Sequence, residues 1–371
     1  MTEAAEHLRD WALLLRAPGS TAALQRALRA AGSPAALRHA RPGQWREWEL
    51  GPATCAHLAQ GPGSQIEADL AWLAANGATL VNCLEARWPA ALDQLPDPPV
   101  ALYLLGDPAA LCELQIAVVG SRSPTAAGRR IAAQLAADLS RAGYLITSGL
   151  ALGVDAAAHE AALDAGGRTL AVLGTGLDSC YPACNAGLAA RIVRDGALVS
   201  EFPPATPPRG HHFPRRNRLI AALTRGTVVV EAALRSGSLI TARRALDLGR
   251  EVFAVPGSPL NPQAAGCLEL LREGAALTRC ASDILSEPTM NSHKSHDYHY
   301  VGISTPPSGP PARLDKDYEI LLDALGFEPA SIEDLVHRTG LAAGVVASMM
   351  LILELQGRVE TRPGALFNRV D

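Results

Sequence analysis

Six short apolar runs between residues 115 and 257 lead, nearly every one, into a glycine-bearing turn and then a helix. The chain reads QIAVVGSRSPTAAGRR, YLITSGLALGVDAAAHEAAL, RTLAVLGTGLDSCYP, ALVSEFPP, TRGTVVVEAALRSGSLITARRALDLGR and EVFAVPGS. Runs of four to six β-branched and aliphatic residues without alternation suit strands buried on both faces. The intervening Ala-, Leu- and Arg-rich segments are strong helix formers. Alternating β and α with short loops predicts an α/β fold, a doubly wound, mostly parallel sheet. It also places a row of backbone N–H groups at one sheet edge, where phosphates bind.

The remaining sequence divides around that core. Residues 1–75 read as a helical module resembling helix-hairpin-helix or sterile-alpha-motif units, with Ser20 and Ser33 as expected N-caps. A plain packing module is as good a reading as a DNA-binding one. Residues 76–285 form the expected core domain, in which 76–114 extend the sheet or cover its edge. Residues 286–312, rich in Pro, Ser and Gly, predict a linker. Its histidines 293, 296 and 299 are spaced by three, but a linker does not hold ligands in place, and no metal site is expected. Residues 313–371 give helix, helix, helix and then a hairpin at Pro363-Gly364, a winged-helix pattern. Its presumed recognition helix, Ala342 to Ser348, carries no Arg, Lys, Asn or Gln to read base edges, which argues for protein contact over sequence-specific DNA readout.

Charge is uneven. The chain carries a net charge of −4, yet residues 201–250 hold nine arginines (209, 215, 216, 218, 225, 235, 243, 244 and 250) against Glu201, Glu231 and Asp247, a local excess of six. A basic segment on an acidic protein fits a polyanion partner, although arginines also simply solvate helix faces. No run reaches the roughly 18 apolar residues of a membrane span. The N-terminus lacks the basic start of a signal peptide. The seven cysteines are scattered without a CxxC pair, and Cys180 and Cys184 bracket a Tyr-Pro turn with poor metal spacing. These features predict a reduced, cytoplasmic protein without structural zinc.

Five loops carry the candidate chemistry. Gly120, Ser121 and Arg122 join the first run to a helix starting near Pro124, and Arg122 can clamp an anion bidentately. The dinucleotide fingerprint is absent there. Gly149 and Gly153 permit close backbone approach and positive φ. Asp155 is a plausible cap for the helix carrying His159, which reads as a core or capping histidine ahead of a catalytic one. Gly174 to Asp178, with Gly176, exposes further amides. Residues 209–218, RGHHFPRRNR, set Phe213 among Arg209, His211, Arg215, Arg216 and Arg218, with Asn217 offering an amide. An aromatic ring among cations is how proteins grip single strands, since bases stack while phosphates pair with arginine. The plain alternative has Phe213 in the core and the arginines in surface pairs. Ser236 and Ser238 open a last helix as an anion cradle. There is no G-x-S-x-G elbow, Walker loop or H-E-x-x-H motif, and the acids near the loops (Asp155, Asp178, Glu201, Glu231) are outnumbered by arginines.

Together these motifs resemble the DprA/Smf DNA-processing family. The matching segments are G-S-R at 120–122, S-G-x-A-x-G-V-D at 148–155, G-x-G-x-D at 174–178 with Y-P at 181–182, S-E-F-P-P at 200–204, F-P-x-R-N-R at 213–218, and V-V-E-A with S-G-S-L-I-T-A across 229–242, ending in V-F-A-V-P-G at 252–257. The resemblance covers roughly residues 80–285. It implies an extended Rossmann-like fold flanked by the N-terminal module and the winged-helix domain. It implies a non-catalytic homodimer without a cofactor that binds single-stranded DNA, protects incoming DNA and loads RecA recombinase during natural transformation. The family's DNA pocket carries over to Ser121, Arg122, Phe213, Arg216 and Asn217. Two departures stand out: Gly210 occupies a position where the family often has lysine, with Arg209 beside it, and Leu268 stands where Asn is usual. The alternative is a nucleotide-processing enzyme of the phosphoribohydrolase type, whose P-G-G-x-G-T loop is replaced here by Arg235-Ser236-Gly237-Ser238-Leu239.

Overall fold

The computed structural model describes residues 3–291, 316–326, 329–355, 358–362, 364 and 366–370. They fall into two units, divided near residue 293. The larger is built on a nine-stranded sheet. Its strands are β1 (Thr79–Asn82), β2 (Ala101–Gly106), β3 (Gln115–Val119), β4 (Leu145–Ser148), β5 (Thr169–Leu173), β6 (Ala197–Ser200), β7 (Gly226–Val229), β8 (Glu251–Ala254) and β9 (Ala276–Leu277).

All six expected strands form, as β3 to β8. The order is β1-β2-β6-β5-β4-β3-β7-β8-β9. Pairing from β6 through to β9 is parallel, while β1 and β2 add antiparallel strands at one edge. From β3 the chain builds outward through β4, β5 and β6, then returns to place β7 on β3's other side. That reversal is a topological switch point, where loops leaving the carboxyl ends of β3 and β7 part and open a crevice.

The strands are apolar throughout because both faces are covered. Ala117 and Val119 of β3 join one core while Ile116 and Val118 join the other. β8 divides likewise, with Val252 and Ala254 on one side and Phe253 on the other. The period-two alternation thus runs between two cores rather than between core and water.

The N-terminal helices pack into the same unit. Ser20 and Ser33 cap the helices Thr21–Ala31 and Pro34–Arg38 as expected, accepting from the amides of Ala23 and Ala36. Trp11, Leu24 and Leu28 share a core with Leu102 and Leu104 of β2. Gln25 and Arg29 both bond Asp93. The division at residue 75 therefore separates helices from sheet along the chain, not in space. Residues 286–291, expected to begin the linker, belong to the core instead. Pro288–Asn291 is helical, Met290 is buried, and its carbonyl accepts from the Tyr144 hydroxyl at 2.7 Å. The rest of that segment, with its three histidines, lies outside the described residues.

The second unit has helices Lys316–Leu325, Ile332–Thr339 and Ala343–Leu355, and strands β10 (Ala330–Ser331), β11 (Val359–Arg362) and β12 (Leu366–Arg369), ordered β10-β12-β11. This is a winged helix. Ser331 and Asp334 form the capping box that starts its second helix, and Gly340, at φ 71°, ends it. Val345 and Leu351 on the third helix are exposed.

Candidate nucleic-acid interface

The crevice between β3 and β7 is a cavity of about 600 Å³. Gly120, Ser121 and Arg122 supply one wall, Arg235 to Ser238 the opposite one, and Phe213, Arg216 and Asn217 the floor. A second, small cavity of about 60 Å³ lies against the same Phe213, Arg122 and Arg216 and adds Gly149, Tyr181 and Pro182.

Each wall is fixed locally. Thr125 caps the helix Ala126–Arg141 through the Gly128 amide. Thr125 is held in turn by Glu231, which accepts its amide at 2.8 Å and its hydroxyl at 2.6 Å. Glu231 follows β7, so this bond ties the two loops of the switch point together. Ser121 accepts the Ser123 amide at 3.1 Å, and its carbonyl accepts the Val154 amide. Gly153 makes that contact possible. Its φ is +81°, and a Cβ there would lie 2.4 Å from the Ser121 carbonyl oxygen. Opposite, Ser236 caps the helix Gly237–Asp247 and shares a 2.7 Å hydroxyl bond with Ser238. In that first turn the Ser238 amide donates to the Ser236 hydroxyl and the Leu239 amide to the Ser236 carbonyl, while Gly237 is exposed.

The floor is set by Arg216, which is almost fully buried. Its guanidinium donates to the carbonyls of Gly149 (2.7 Å) and Val172, and to the Asn217 side-chain oxygen (3.0 Å). Gly149 is glycine because a Cβ would sit 2.4 Å from that guanidinium. Burial pulls Arg216 down to about 10, with Arg122 adding to the effect and Asp155 opposing it. It stays charged at neutral pH. Asp155 is buried beside it. Burial pushes its carboxyl up, while Arg216 and the amides of Ala151 and Gly149 pull it down. A buried charge needs such partners. Asp155 thus ties down the Gly149–Ala151 loop from the first turn of the helix Val154–Asp164; it is not the cap expected for that helix, whose N-cap is Gly153 without a side-chain bond. His159, one turn on, is fully buried and bonds Thr169 Oγ1 at 2.6 Å. Burial and the Arg216 charge lower it to about 3, so the imidazole is neutral at physiological pH. It is a core histidine.

Beside Arg216 lies the Phe213 ring. Phe213 is half-buried, with the Arg122 guanidinium 5.5 Å from its centroid and Tyr181 packed at 5.6 Å, tilted by 39°. Tyr181 is 46% exposed, which leaves aromatic surface for a base. Among the described residues no carboxylate pairs with Arg122 or Arg235, and both are exposed.

Not every residue of the basic segment joins this site. Arg218 is buried and bonds Glu201 at 2.5 Å and Asp97 at 3.3 Å. Arg215 takes the other side of Glu201 at 3.0 Å. These two arginines neutralise a buried acid inside the fold, and neither of them, though both were expected at the DNA site, lines the cavity. His211 is exposed and edges against His212, which stacks on Phe202 at 4.2 Å. Gly210 lines the large cavity, whereas Arg209 and Gly176 do not. A Cβ at Gly176 would meet the Pro203 carbonyl at 2.6 Å, so that glycine serves loop packing. Asn217 spends its amide on the Gly237 carbonyl at 3.2 Å. Gln263, from the loop after β8, lines the cavity without having been expected; no charge or periodicity marks it in the sequence.

Comparison with known proteins shows the family. Residues 79–289 match the model of the DNA recombination-mediator protein A family, and residues 305–365 match the DprA winged helix domain. The chain is 40% identical to Protein Smf of Escherichia coli over 304 residues, 82% of this chain and 80% of that one. It is 45% identical to DNA processing protein DprA of Streptococcus pneumoniae over 206 residues, 56% of this chain and 73% of that one. The X-ray structure of DprA from S. pneumoniae superposes with a TM-score of 0.67 at 34% identity, covering 74% of this chain and 95% of that one. A Helicobacter pylori DNA processing protein A, described for its single-stranded DNA binding mode, gives 0.52 at 32% identity over 56% and 94% of the two chains.

Proposed function

We propose that this chain, which belongs to the DNA recombination-mediator protein A (DprA/Smf) family, binds single-stranded DNA in the crevice between β3 and β7. The observation that carries the proposal is the half-buried Phe213 ring between Tyr181 and Arg122, with Arg122 and Arg235 unneutralised at the cavity wall. One base stacks on the aromatic surface while its flanking phosphates meet Arg122, Arg235 and the amide at Gly237. The DNA contacts are assigned to Gly120, Ser121, Arg122, Gly149, Phe213, Ser236 and Ser238, with Arg216 and Asn217 beneath them.

The site acts without catalysis. Asp155 is the one carboxylate among the lining residues, and it is committed to Arg216 and the loop amides. A neutral, enclosed His159 offers no general acid near pH 7. Family membership supports a homodimer that protects incoming DNA in the cytoplasm and hands it to RecA recombinase during natural transformation. The open edge strand β9, with Leu277 half-exposed, suits a subunit contact.

The test is a titration of fluorescent single- and double-stranded oligonucleotides across a salt series. Tight, salt-sensitive preference for single strands without cleavage is expected. Equal binding of duplex, nicked product, or release of free base from nucleoside monophosphates would overturn the reading in favour of a nucleotide- or DNA-cleaving enzyme. RecA filament formation on protein-coated strands then tests the handover, and light scattering the dimer.

A further inference from the structure

Glu231 stands two residues past the end of β7, and its side chain is buried. Its carboxylate has no cationic partner among the described residues. It accepts instead from the Thr125 amide and the Thr125 hydroxyl, at the start of the helix Ala126–Arg141, where a negative charge is favoured. Ala233 and Arg235, just beyond it in the chain, line the large cavity. A negative charge beside a wall that receives phosphate opposes binding, so its place there needs a reason.

What this carboxylate holds is the loop that carries Arg122. Within that loop the Ser123 amide is spent on the Ser121 hydroxyl, and the Thr125 hydroxyl accepts the Gly128 amide of its own helix. Two attachments of residues 121–125 to other elements remain. The Ser121 carbonyl accepts the Val154 amide at 3.1 Å, and Thr125 donates twice to Glu231. Arg122 lies between the two anchors. It is exposed, and its guanidinium meets the Phe213 ring without a hydrogen bond to protein among the described residues, so the backbone of its loop sets where it reaches. Glu231 itself is firmly seated. The amide before it, of Val230, donates to the Val119 carbonyl at 3.1 Å, and the amide after it, of Ala232, donates to the Gln263 carbonyl at 2.7 Å. The glycines on either side of the Arg122 loop make room for it. A Cβ at Gly128 would lie 2.6 Å from each carboxylate oxygen, and one at Gly120 would lie 3.0 Å from the Glu231 carbonyl oxygen.

We infer that Glu231 is a positioning residue of the single-strand site: its two hydrogen bonds to Thr125 fix the loop from which Arg122 reaches a phosphate. The inference rests on the single-strand reading given above. The role lies in the two contacts and not in the charge. Glutamine has the same shape; its carbonyl oxygen accepts the Thr125 amide, and its NH2 donates to the Thr125 hydroxyl, whose oxygen has a second lone pair beside the one that Gly128 occupies. The loop then stays in place with the charge removed. Alanine drops both contacts and frees the far end of the loop.

The experiment measures binding of a fluorescent single strand by the full chain at several salt concentrations. Glu231→Ala should lose up to roughly tenfold in affinity, the share of one charge-assisted phosphate contact. It should also lose about 0.7 from the slope of log K against log salt. In an Arg122→Ala background the same substitution should change neither, because the contact it positions is already gone. Glu231→Gln should bind like the wild type with the same slope. Tyr144→Phe loses a buried 2.7 Å bond to the Met290 carbonyl elsewhere in the same unit, and as a control for stability alone it should leave affinity and slope unchanged. Thr125→Val is the gentler variant should the alanine protein not fold. It keeps the amide contact, loses the hydroxyl one, and should weaken binding only where Arg122 is present. Wild-type affinity in the folded variants, equal losses with and without Arg122, or a glutamine variant as weak as the alanine one would overturn the inference and leave the DNA site standing. A wild-type protein that does not bind single strands would remove the DNA reading itself, and the positioning role with it.

Discussion

Replacing Arg122 by alanine tests the site at the point where it is most exposed to error. Arg122 is solvent-accessible and has no carboxylate partner among the described residues; its guanidinium lies 5.5 Å from the Phe213 ring centroid. Its loss leaves no buried charge unpaired, so stability should change by less than about 0.5 kcal/mol. A charge-assisted contact to a phosphate contributes about 1.5–3 kcal/mol. Because this arginine is exposed, the lower end applies, and single-strand affinity should fall roughly tenfold. The stronger signature is in salt. Removing one phosphate contact should lower the slope of log K against log salt by about 0.7. Arg215→Ala is the matched control. It removes equal charge from the same segment, but that charge is spent on Glu201, which keeps Arg218 at 2.5 Å. The salt slope should therefore stay unchanged in the control. The measurement is fluorescence anisotropy on a short oligonucleotide at several salt concentrations. An unaltered slope for Arg122→Ala, or an equal drop for Arg215→Ala, would refute the assignment of free and committed arginines.

Other outcomes follow from the same geometry. Tyr181→Ala should weaken single-strand binding by about 1 kcal/mol with no change in salt slope, because it removes stacking surface and no charge. Gly149→Ala places a methyl 2.4 Å from a guanidinium that two carbonyls hold in place. Overpacking there should cost about 1–3 kcal/mol in urea unfolding and reduce affinity as well. His159, lowered to about 3 when folded against an ordinary 6.5, takes up its proton earlier in the unfolded chain. Its contribution is fully present above pH 6.5 and is lost as pH falls toward 3, at about 1.4 kcal/mol per unit, or about 2 kcal/mol by pH 5. Denaturation midpoints of the wild type should drop more steeply between pH 7 and 5 than those of His159→Gln; parallel curves would show that the histidine does not titrate as buried.

The strands and loops were legible because their signal is local. A β-branched run, a glycine turn and a helix former announce themselves within a dozen residues, and β3 to β8 lie where those runs stand. The switch point was not legible, since nothing in the sequence of β7 says that it returns beside β3. The arginines failed for the same reason. RGHHFPRRNR does not say which of its cations are paired, because the acids that neutralise Arg215 and Arg218 lie on other elements: Glu201 after β6 and Asp97 before β2. Tyr181 shows the converse. In the sequence it stands in a Tyr-Pro turn and a family motif with no sign of a stacking role, and its ring contact with Phe213 exists because β5 and the helix His212–Leu223 lie side by side in the fold.

That helix carries two jobs at once, and Arg216 separates them. Phe213, in its first turn, faces the cavity; Arg216, three residues on, points inward and roots the helix to the loop after β4 and to β5 through the Gly149 and Val172 carbonyls. Resemblance to the family places Arg216 in the DNA pocket, yet its donors are largely occupied by protein acceptors. Arg216→Lys distinguishes the roles. Lysine keeps the positive charge that balances Asp155 but cannot present a planar fork to two carbonyls and Asn217 together. Buried carbonyls left unpaired cost about 1–3 kcal/mol. If Arg216 mainly positions the site, the lysine variant should lose that much stability by urea unfolding and lose affinity in proportion, with an unchanged salt slope. If it mainly contacts phosphate, stability should hold. The salt slope should then persist with the charge, and only affinity should fall. The buried geometry favours the first outcome, and a lysine variant of wild-type stability with weakened binding would contradict it.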